Sequence, residues 1–300
     1  MMSAVIEVNH LRKSYGQVKA IDDVSFQIEA DKIYGMLGRN GAGKTTLMHI
    51  LTAQGFATSG DLKVFGEHPY ENEKVLRNIC FIKESQKYPD TFSVKNVLDV
   101  SADFFPKWDR DFANSLIADF QLPLKRNVKK LSRGMLSSLG IVVGLASRAP
   151  LTIFDEPYLG LDAVARSLFY DRLLEDYSEH PRTIILSTHL IDEVSRLLEH
   201  VIVIDSGKVI LDEETDTIRG RAYAVAGAAS KVEDFLRGKQ VIHREPFGGL
   251  LTAAVIGAGD GRDRHEAEGM GLEIQPVSLQ QLVVHLSKIN QVQGKEGERA

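Results

Sequence analysis

Residues 38–45 read Gly-Arg-Asn-Gly-Ala-Gly-Lys-Thr, a spacing whose chemistry is the binding of phosphate. Gly38, Gly41 and Gly43 let backbone N–H groups turn inward around phosphate oxygens that side chains would otherwise block. Lys44 supplies a mobile charge for the β- and γ-phosphates of a nucleoside triphosphate, and Thr45 offers a hydroxyl to Mg²⁺. Arg39, Asn40 and Ala42 complete the loop, and Thr46 lies in the first turn of a helix whose free N–H groups and dipole favour an anion. A second pair, Asp155 and Glu156, ends the run Leu-Thr-Ile-Phe-Asp-Glu-Pro at 151–157. Two adjacent acids after a strand usually make only a solvated strand end. Beside a phosphate loop, Asp155 suits a Mg²⁺ shell, and Glu156 suits a base that orients or deprotonates the attacking water.

These residues need a sheet to bring them together. Ile33–Leu37 reads as a buried parallel strand before the loop, and Leu47–Leu51 continues the helix after it. The runs Leu151–Phe154, Thr183–Leu186 and Val201–Ile204 lack apolar/polar alternation and suit strands covered on both faces. The acids and the loop would then share the carboxyl edge of one sheet. Residues 4–9 and 24–29 do alternate and are expected to form a small antiparallel layer ahead of the loop. Between 87 and 148 the pattern turns helical, with Val94, Val97, Leu98, Phe104, Phe105, Phe112, Leu116 and Ile117 as candidate apolar faces of an inserted subdomain. Beyond Gly220, short segments alternate with glycines. The last places Leu279, Leu282, Val283, Leu286 and Ile289 at helical spacing, as a core-packing amphipathic helix does.

The expected fold is α/β: a P-loop parallel-sheet core with an N-terminal antiparallel β layer, an inserted helical subdomain and a small α+β C-terminal region. The expected divisions are 1–220, with the helical part at about 87–148, then 221–290, and a polar disordered tail at 291–300. The 300 residues have ample length for a core, and 43% hydrophobic with 26% charged residues is a soluble globular balance. No run is long enough to span a bilayer, and the N-terminus has no apolar stretch after a basic one. A net charge of −5 argues against a nucleic-acid partner, and the single cysteine, Cys80, reads as a small core residue in a reducing compartment.

Joined by Leu-Ser-Arg-Gly-Met at 131–135 and Ser-Thr-His at 187–189, this constellation resembles the ATP-binding cassette family over about residues 4–220. The resemblance implies head-to-tail pairs of such domains sandwiching two ATP molecules, each held by one subunit's phosphate loop and the other's signature segment. By carry-over, Tyr15 would stack on adenine, Ser132 and Gly134 would face the γ-phosphate of the opposite site, and His189 would contact the γ-phosphate and hold the water in register with Glu156. Asp162 would lie in the loop crossing the dimer interface. Glu84 falls where the family carries a Mg²⁺-contacting glutamine, with Gln86 two residues on; a carboxylate is also an acceptable ligand for a hard cation. Arg133 and Met135 also depart from the common pattern, standing where glycine and glutamine are usual. As an isolated stretch, 131–135 would equally serve as a helix cap with Ser132 as N-cap.

The implied function is the ATP-hydrolysing subunit of a multi-subunit transporter, export being the expected direction. Its implied partners are a second ATP-binding subunit, identical or not, and a separate integral membrane permease. Its expected place is the cytoplasmic face of the membrane. Tyr88 and Phe92 would either seat a coupling helix of the permease or belong to the core. A soluble cassette ATPase of another process, an ATP-bound regulator, and a P-loop kinase or GTPase are the alternatives. The last is disfavoured by the acid pair and by the lack of an Asn-Lys-x-Asp motif. Nothing in these motifs touches a transported molecule, so its identity is not encoded in them.

Overall fold

The computed structural model describes residues 4–84, 86–219, 222–257 and 261–285. The alternating runs at the N-terminus extend further than their clearest periodicity. Strands β1 (Ala4–Tyr15) and β2 (Val18–Glu29) form one long antiparallel hairpin with several register shifts. Those irregularities break the alternation beyond residue 9, which is why only 4–9 and 24–29 are legible as strands. After β3 (Ile33–Leu37) and helix α1 (Lys44–Leu51), strand β4 (Ser59–Val64) pairs with β1 and completes a three-stranded sheet in the order β2-β1-β4.

Helix α2 (Glu73–Leu76) leads to β5 (Ile79–Ile82). Three helices follow: α3 (Val94–Phe104), α4 (Arg110–Asp119) and, after a 3₁₀ turn at Val128–Lys130, α5 (Arg133–Ala146). Then come β6 (Leu151–Asp155), α6 (Ala163–Glu179), β7 (Thr183–Thr188), α7 (Ile191–Val194), β8 (His200–Asp205) and β9 (Lys208–Glu214). The six-stranded sheet runs β5-β6-β7-β3-β8-β9, parallel throughout except for the antiparallel edge strand β9.

Both faces of this sheet are covered, which explains its unbroken apolar runs. Ile33, Leu37, Phe154 and Ile184 point into a core shared with the helices, while Tyr34, Met36, Ile153 and Ile185 point into a core shared with the antiparallel layer and α1. Within the helical stretch, Val94, Val97, Leu98, Leu116 and Ile117 are buried as their spacing predicts. Phe104 corrects that pattern: it is the last residue of α3 and is 69% exposed, its helical phase placing it at the edge of the stripe that Val94, Val97, Leu98 and Ser101 bury. Tyr88 and Phe92 pack against the core of the helical side. Cys80 is buried on β5, where desolvation pushes its thiol up to about 12.

Beyond α8 (Thr215–Arg219), strands β10 (Ala222–Ala228), β11 (Gln240–Phe247), β12 (Leu250–Ile256) and β13 (Glu273–Pro276) make a second antiparallel sheet in the order β11-β12-β10-β13. Helices α9 (Ala229–Phe235) and α10 (Gly261–Gly269) accompany it, and Val225, Val232, Phe235, Val255 and Ala267 form its own core. The chain is helical again over 279–285, where Leu279, Leu282 and Val283 bury into the large core of the helical side. Leu286, Ile289 and the tail from 291 lie outside the described residues.

Candidate nucleotide and hydrolysis site

Three adjacent strands end together. β7 lies between β6 and β3, with Asp155 opposite Ser187 and Leu37 opposite Thr188. The carboxyl ends of β3, β6 and β7 therefore deliver the phosphate loop, the acid pair and His189 to one place, where ligands bind in open α/β sheets. A cleft of about 670 Å³ opens there, lined by Asn40, Gly41, Gly43, Lys44, Thr45, Thr46, Asp155, Glu156 and His189, with Val18, Lys19 and Ala20 along one wall.

The loop has the backbone that its glycines permit. Gly43 adopts φ 111° and caps α1 without any side-chain acceptor, and a Cβ on it would lie 2.5 Å from the carbonyl oxygen of Ala20. Only glycine fits there, and the first-turn N–H groups of α1 are left for an anion. Lys44 is buried, and its Nζ donates to the carbonyls of Gly38 (2.7 Å) and Arg39 (3.2 Å). Burial pushes its ammonium below the ordinary lysine range, against the pull of Glu156 and Asp155. Gly38 and Arg39 lie on the far side of the loop, facing a smaller cavity that Val283 and Val284 also line, and Ala42 is buried beneath it.

Each member of the acid pair has one oxygen held and one without a hydrogen bond. Thr45 Oγ1 donates to Asp155 Oδ2 at 2.8 Å, while the buried Oδ1 has no hydrogen-bond partner. A threonine hydroxyl and a carboxylate with a spare buried oxygen fit a Mg²⁺ site, the donor set this hard cation prefers. Among the described residues, no group of three or more His, Cys, Asp or Glu side chains could hold a metal by itself, so the remaining ligands would be water and phosphate. Glu156 follows with φ 50°, a left-handed backbone that turns the chain sharply off β6. Its Oε2 lies 3.0 Å from His189 Nδ1, and its buried Oε1 makes no hydrogen bond but sits 3.8 Å from Lys44 Nζ. Burial raises the Glu156 carboxyl above the ordinary range, opposed by His189 and Lys44.

The other expected site residues are not gathered in this way. Tyr15 is 57% exposed at the end of β1, with Lys13 Nζ 4.8 Å from its ring centre, and is not part of the cleft lining that begins at Val18. Ser132 caps α5, accepting from the N–H of Met135 at 3.2 Å, and lies outside the cleft wall with Gly134. A Cβ on Gly134 would fall 2.6 Å from the carbonyl oxygen of Gly160, so the start of α5 is pressed onto the loop that leaves β6. Ser137 Oγ donates to the carbonyl of Leu159 across the same contact, at 2.6 Å. Asp162 caps α6 by accepting from Ala165 N at 2.8 Å. Glu84 does line the cleft, but its carboxylate is paired with Arg133 at 3.1 Å rather than turned to Thr45 and Asp155. Gln86 Oε1 accepts from Lys83 N at 3.5 Å.

Sequence reasoning missed Tyr158, whose hydroxyl touches Glu156 Oε2, His189 and Thr188. The available signal was an aromatic residue with a polar tip one step past the Asp-Glu-Pro run, since a buried tyrosine hydroxyl needs partners.

The ABC transporter family model matches residues 21–159. The ABC transporter ATP-binding protein YtrB of Bacillus subtilis (strain 168) is 25% identical over 285 residues, covering 95% of this chain and 96% of that protein. The bacitracin transport ATP-binding protein BcrA of Bacillus licheniformis is 32% identical over 223 residues, 73% of each chain. Among solved structures, an ATP-binding subunit of an ABC transporter superposes with a TM-score of 0.65 at 25% identity, covering 72% of this chain and 92% of that one.

Proposed function

This chain belongs to the ABC transporter family, and from that membership we propose that it binds ATP in the cleft at the ends of β3, β6 and β7 and hydrolyses it to drive transport through separate membrane subunits. The observation carrying the site assignment is the paired state of the two acids: Asp155 and Glu156 each keep one buried oxygen without a hydrogen bond at the wall of the same cleft.

In this reading the N–H groups at the start of α1 hold the phosphates, and Lys44 exchanges its loop carbonyls for phosphate oxygens, a swap that returns its charge to an anionic partner. Thr45 and Asp155 would hold Mg²⁺, which when bound neutralises charge on the β- and γ-phosphates. Glu156 Oε1 takes a proton from water as the water oxygen bonds to the γ-phosphorus. The bond to the bridging oxygen breaks, and its electron pair leaves with ADP. His189, donating from Nδ1 to Oε2, keeps the other carboxylate oxygen occupied.

Ser132 and Gly134 stand outside this cleft, which supports a site completed by a second ATP-binding subunit presenting its own α5 start. Among the described residues no helix is long and apolar enough to cross a membrane, so the proposed route across the bilayer belongs to a partner permease, at whose cytoplasmic face the chain would sit. Export is the direction favoured by the resemblance of the signature segment, and a division at about residue 220 is supported by the separate core of β10–β13.

The test is ATP turnover by the purified full-length chain with and without Glu156→Gln. The wild type is expected to release phosphate. The variant should retain ATP with near-wild-type affinity and lose turnover by about 10²-fold or more, the usual size of a general-base contribution. A variant that turns over normally would place the base elsewhere.

A further inference from the structure

Tyr158 is 3% exposed, and its hydroxyl is the centre of a closed hydrogen-bond group. It accepts from Thr188 Oγ1 at 3.0 Å and from the backbone N–H of His189 at 3.1 Å. A tyrosine hydroxyl has a single proton, and with both incoming donors accounted for, that proton goes to Glu156 Oε2, which the hydroxyl contacts directly. His189 Nδ1 lies 3.0 Å from the same Oε2 and 3.0 Å from the hydroxyl. The hydroxyl's proton being committed to Glu156, the ring nitrogen makes its bond to Oε2 as an N–H donor. The two rings meet edge to face, with centres 5.7 Å apart, so the tyrosine also limits where the imidazole can tilt.

Oε2 of Glu156 thus receives two donors while Oε1 receives none. A carboxylate on a left-handed backbone, whose χ angles are free to exchange its two oxygens, would not keep that distinction unaided. We propose that Tyr158 is a positioning residue for ATP hydrolysis: its hydroxyl, tied down by Thr188 and the His189 backbone, clamps Glu156 by Oε2 so that Oε1 is presented to the attacking water. The inference rests on Glu156 being the base. It adds that the geometry of the base is set by the third residue of the Glu-Pro-Tyr turn as well as by the histidine.

If the hydroxyl served only to satisfy its own burial, its loss would weaken the fold without selecting one kinetic constant. The clamp predicts selectivity. In the purified full-length chain, Tyr158→Phe should lower kcat about tenfold or more, the loss attached to one hydrogen bond to a charged group. KM for ATP and the calorimetric affinity for ATP should stay within about twofold, since no contact to the nucleotide is removed. In a His189→Ala background, which keeps the backbone N–H and the Thr188 hydroxyl that hold the tyrosine, Tyr158→Phe should still lower kcat, because the clamp on Oε2 does not pass through the imidazole. Circular dichroism on melting verifies that the variant is folded. If Tyr158→Phe does not fold, Thr188→Val removes one of the two donors into the hydroxyl and should lower kcat at constant KM.

A wild-type kcat in the folded variant, a parallel change of kcat and KM, or no further loss in an active His189→Ala background would each overturn the clamp. A wild-type chain without ATPase activity would instead overturn the assignment of the hydrolytic site beneath it.

Discussion

Lys44 sits between its own loop carbonyls and the phosphate it would meet. Its Nζ donates to Gly38 and Arg39 and stands 3.8 Å from Glu156, so without nucleotide its charge is already partly neutralised inside the protein. Lys44→Ala removes the mobile charge facing the phosphates. The expected outcome is a loss of ATP affinity of at least about tenfold in a calorimetric titration, the size of one lost charge-assisted contact, with little loss of fold. Unchanged affinity would remove the loop from the binding site. That Lys44, Thr45, Asp155 and Glu156 belong together was legible because each lies in a contiguous run whose residue types have few other joint uses. Tyr158 was not, because its importance lies in contacts 30 and 31 residues away, to Thr188 and His189. Glu84 and Arg133, read separately as departures from the family pattern, prove to be ion-paired to each other across 49 residues. Both are exposed, and such a pair contributes at most about 1 kcal/mol, so its relevance is to the orientation of the α5 start rather than to stability.

At the scale of elements, α5 and β6 decide how rigidly the site is held. Gly144 lets the helix approach the strand: a Cβ there would lie 2.4 Å from a ring carbon of Phe154, a fully buried side chain whose aromatic plane cannot fold away. Gly144→Ala gains about 1 kcal/mol of helix propensity but overpacks this contact by about 1–3 kcal/mol, so the clash is expected to win or at best break even. A lowered denaturation midpoint with unchanged slope would report it; a clear stabilisation would show that α5 can shift off the sheet. The parallel strands were readable as unbroken apolar runs because both faces are buried. The antiparallel layer was readable only in part. The register shifts along β1 spoil its alternation, and β4, which completes that sheet, follows α1 and carries Gly60, whose backbone packs against His10 and Leu11. The β9 edge strand, with only partial burial, gave no comparable signal.

For the whole molecule, the decisive geometry is where the start of α5 lies relative to the cleft. The cleft collects phosphate loop, acids and histidine, while Ser132 and Gly134 lie outside it at the start of α5, the helix that Ser137 ties to the loop running from Glu156 to Asp162. On the proposed head-to-tail arrangement, Ser132→Arg and Lys44→Ala disable opposite halves of a composite site. Each variant alone should be inactive, and mixing the two should partly restore phosphate release, because some pairs then combine an intact loop with an intact signature segment. No recovery in a mixture shown by crosslinking to contain mixed pairs would count against sites built from two chains. The C-terminal sheet has its own core, yet Ala222, Ile242, Ala254, Leu282 and Val283 bury into the large core beside the helices. Taken by itself, the amino-acid sequence showed a phosphate-loop pattern at 38–46 and two acids and a histidine at strand ends, because these are local patterns whose backbone requirements are met within a few residues. Only the tertiary structure decided which oxygen of Glu156 is anchored, that Tyr158 anchors it, and that the signature segment lies outside the cleft. Those facts depend on β7 lying between β6 and β3 and on the packing of α5, which arise from the burial of distant apolar surfaces and have no local signature.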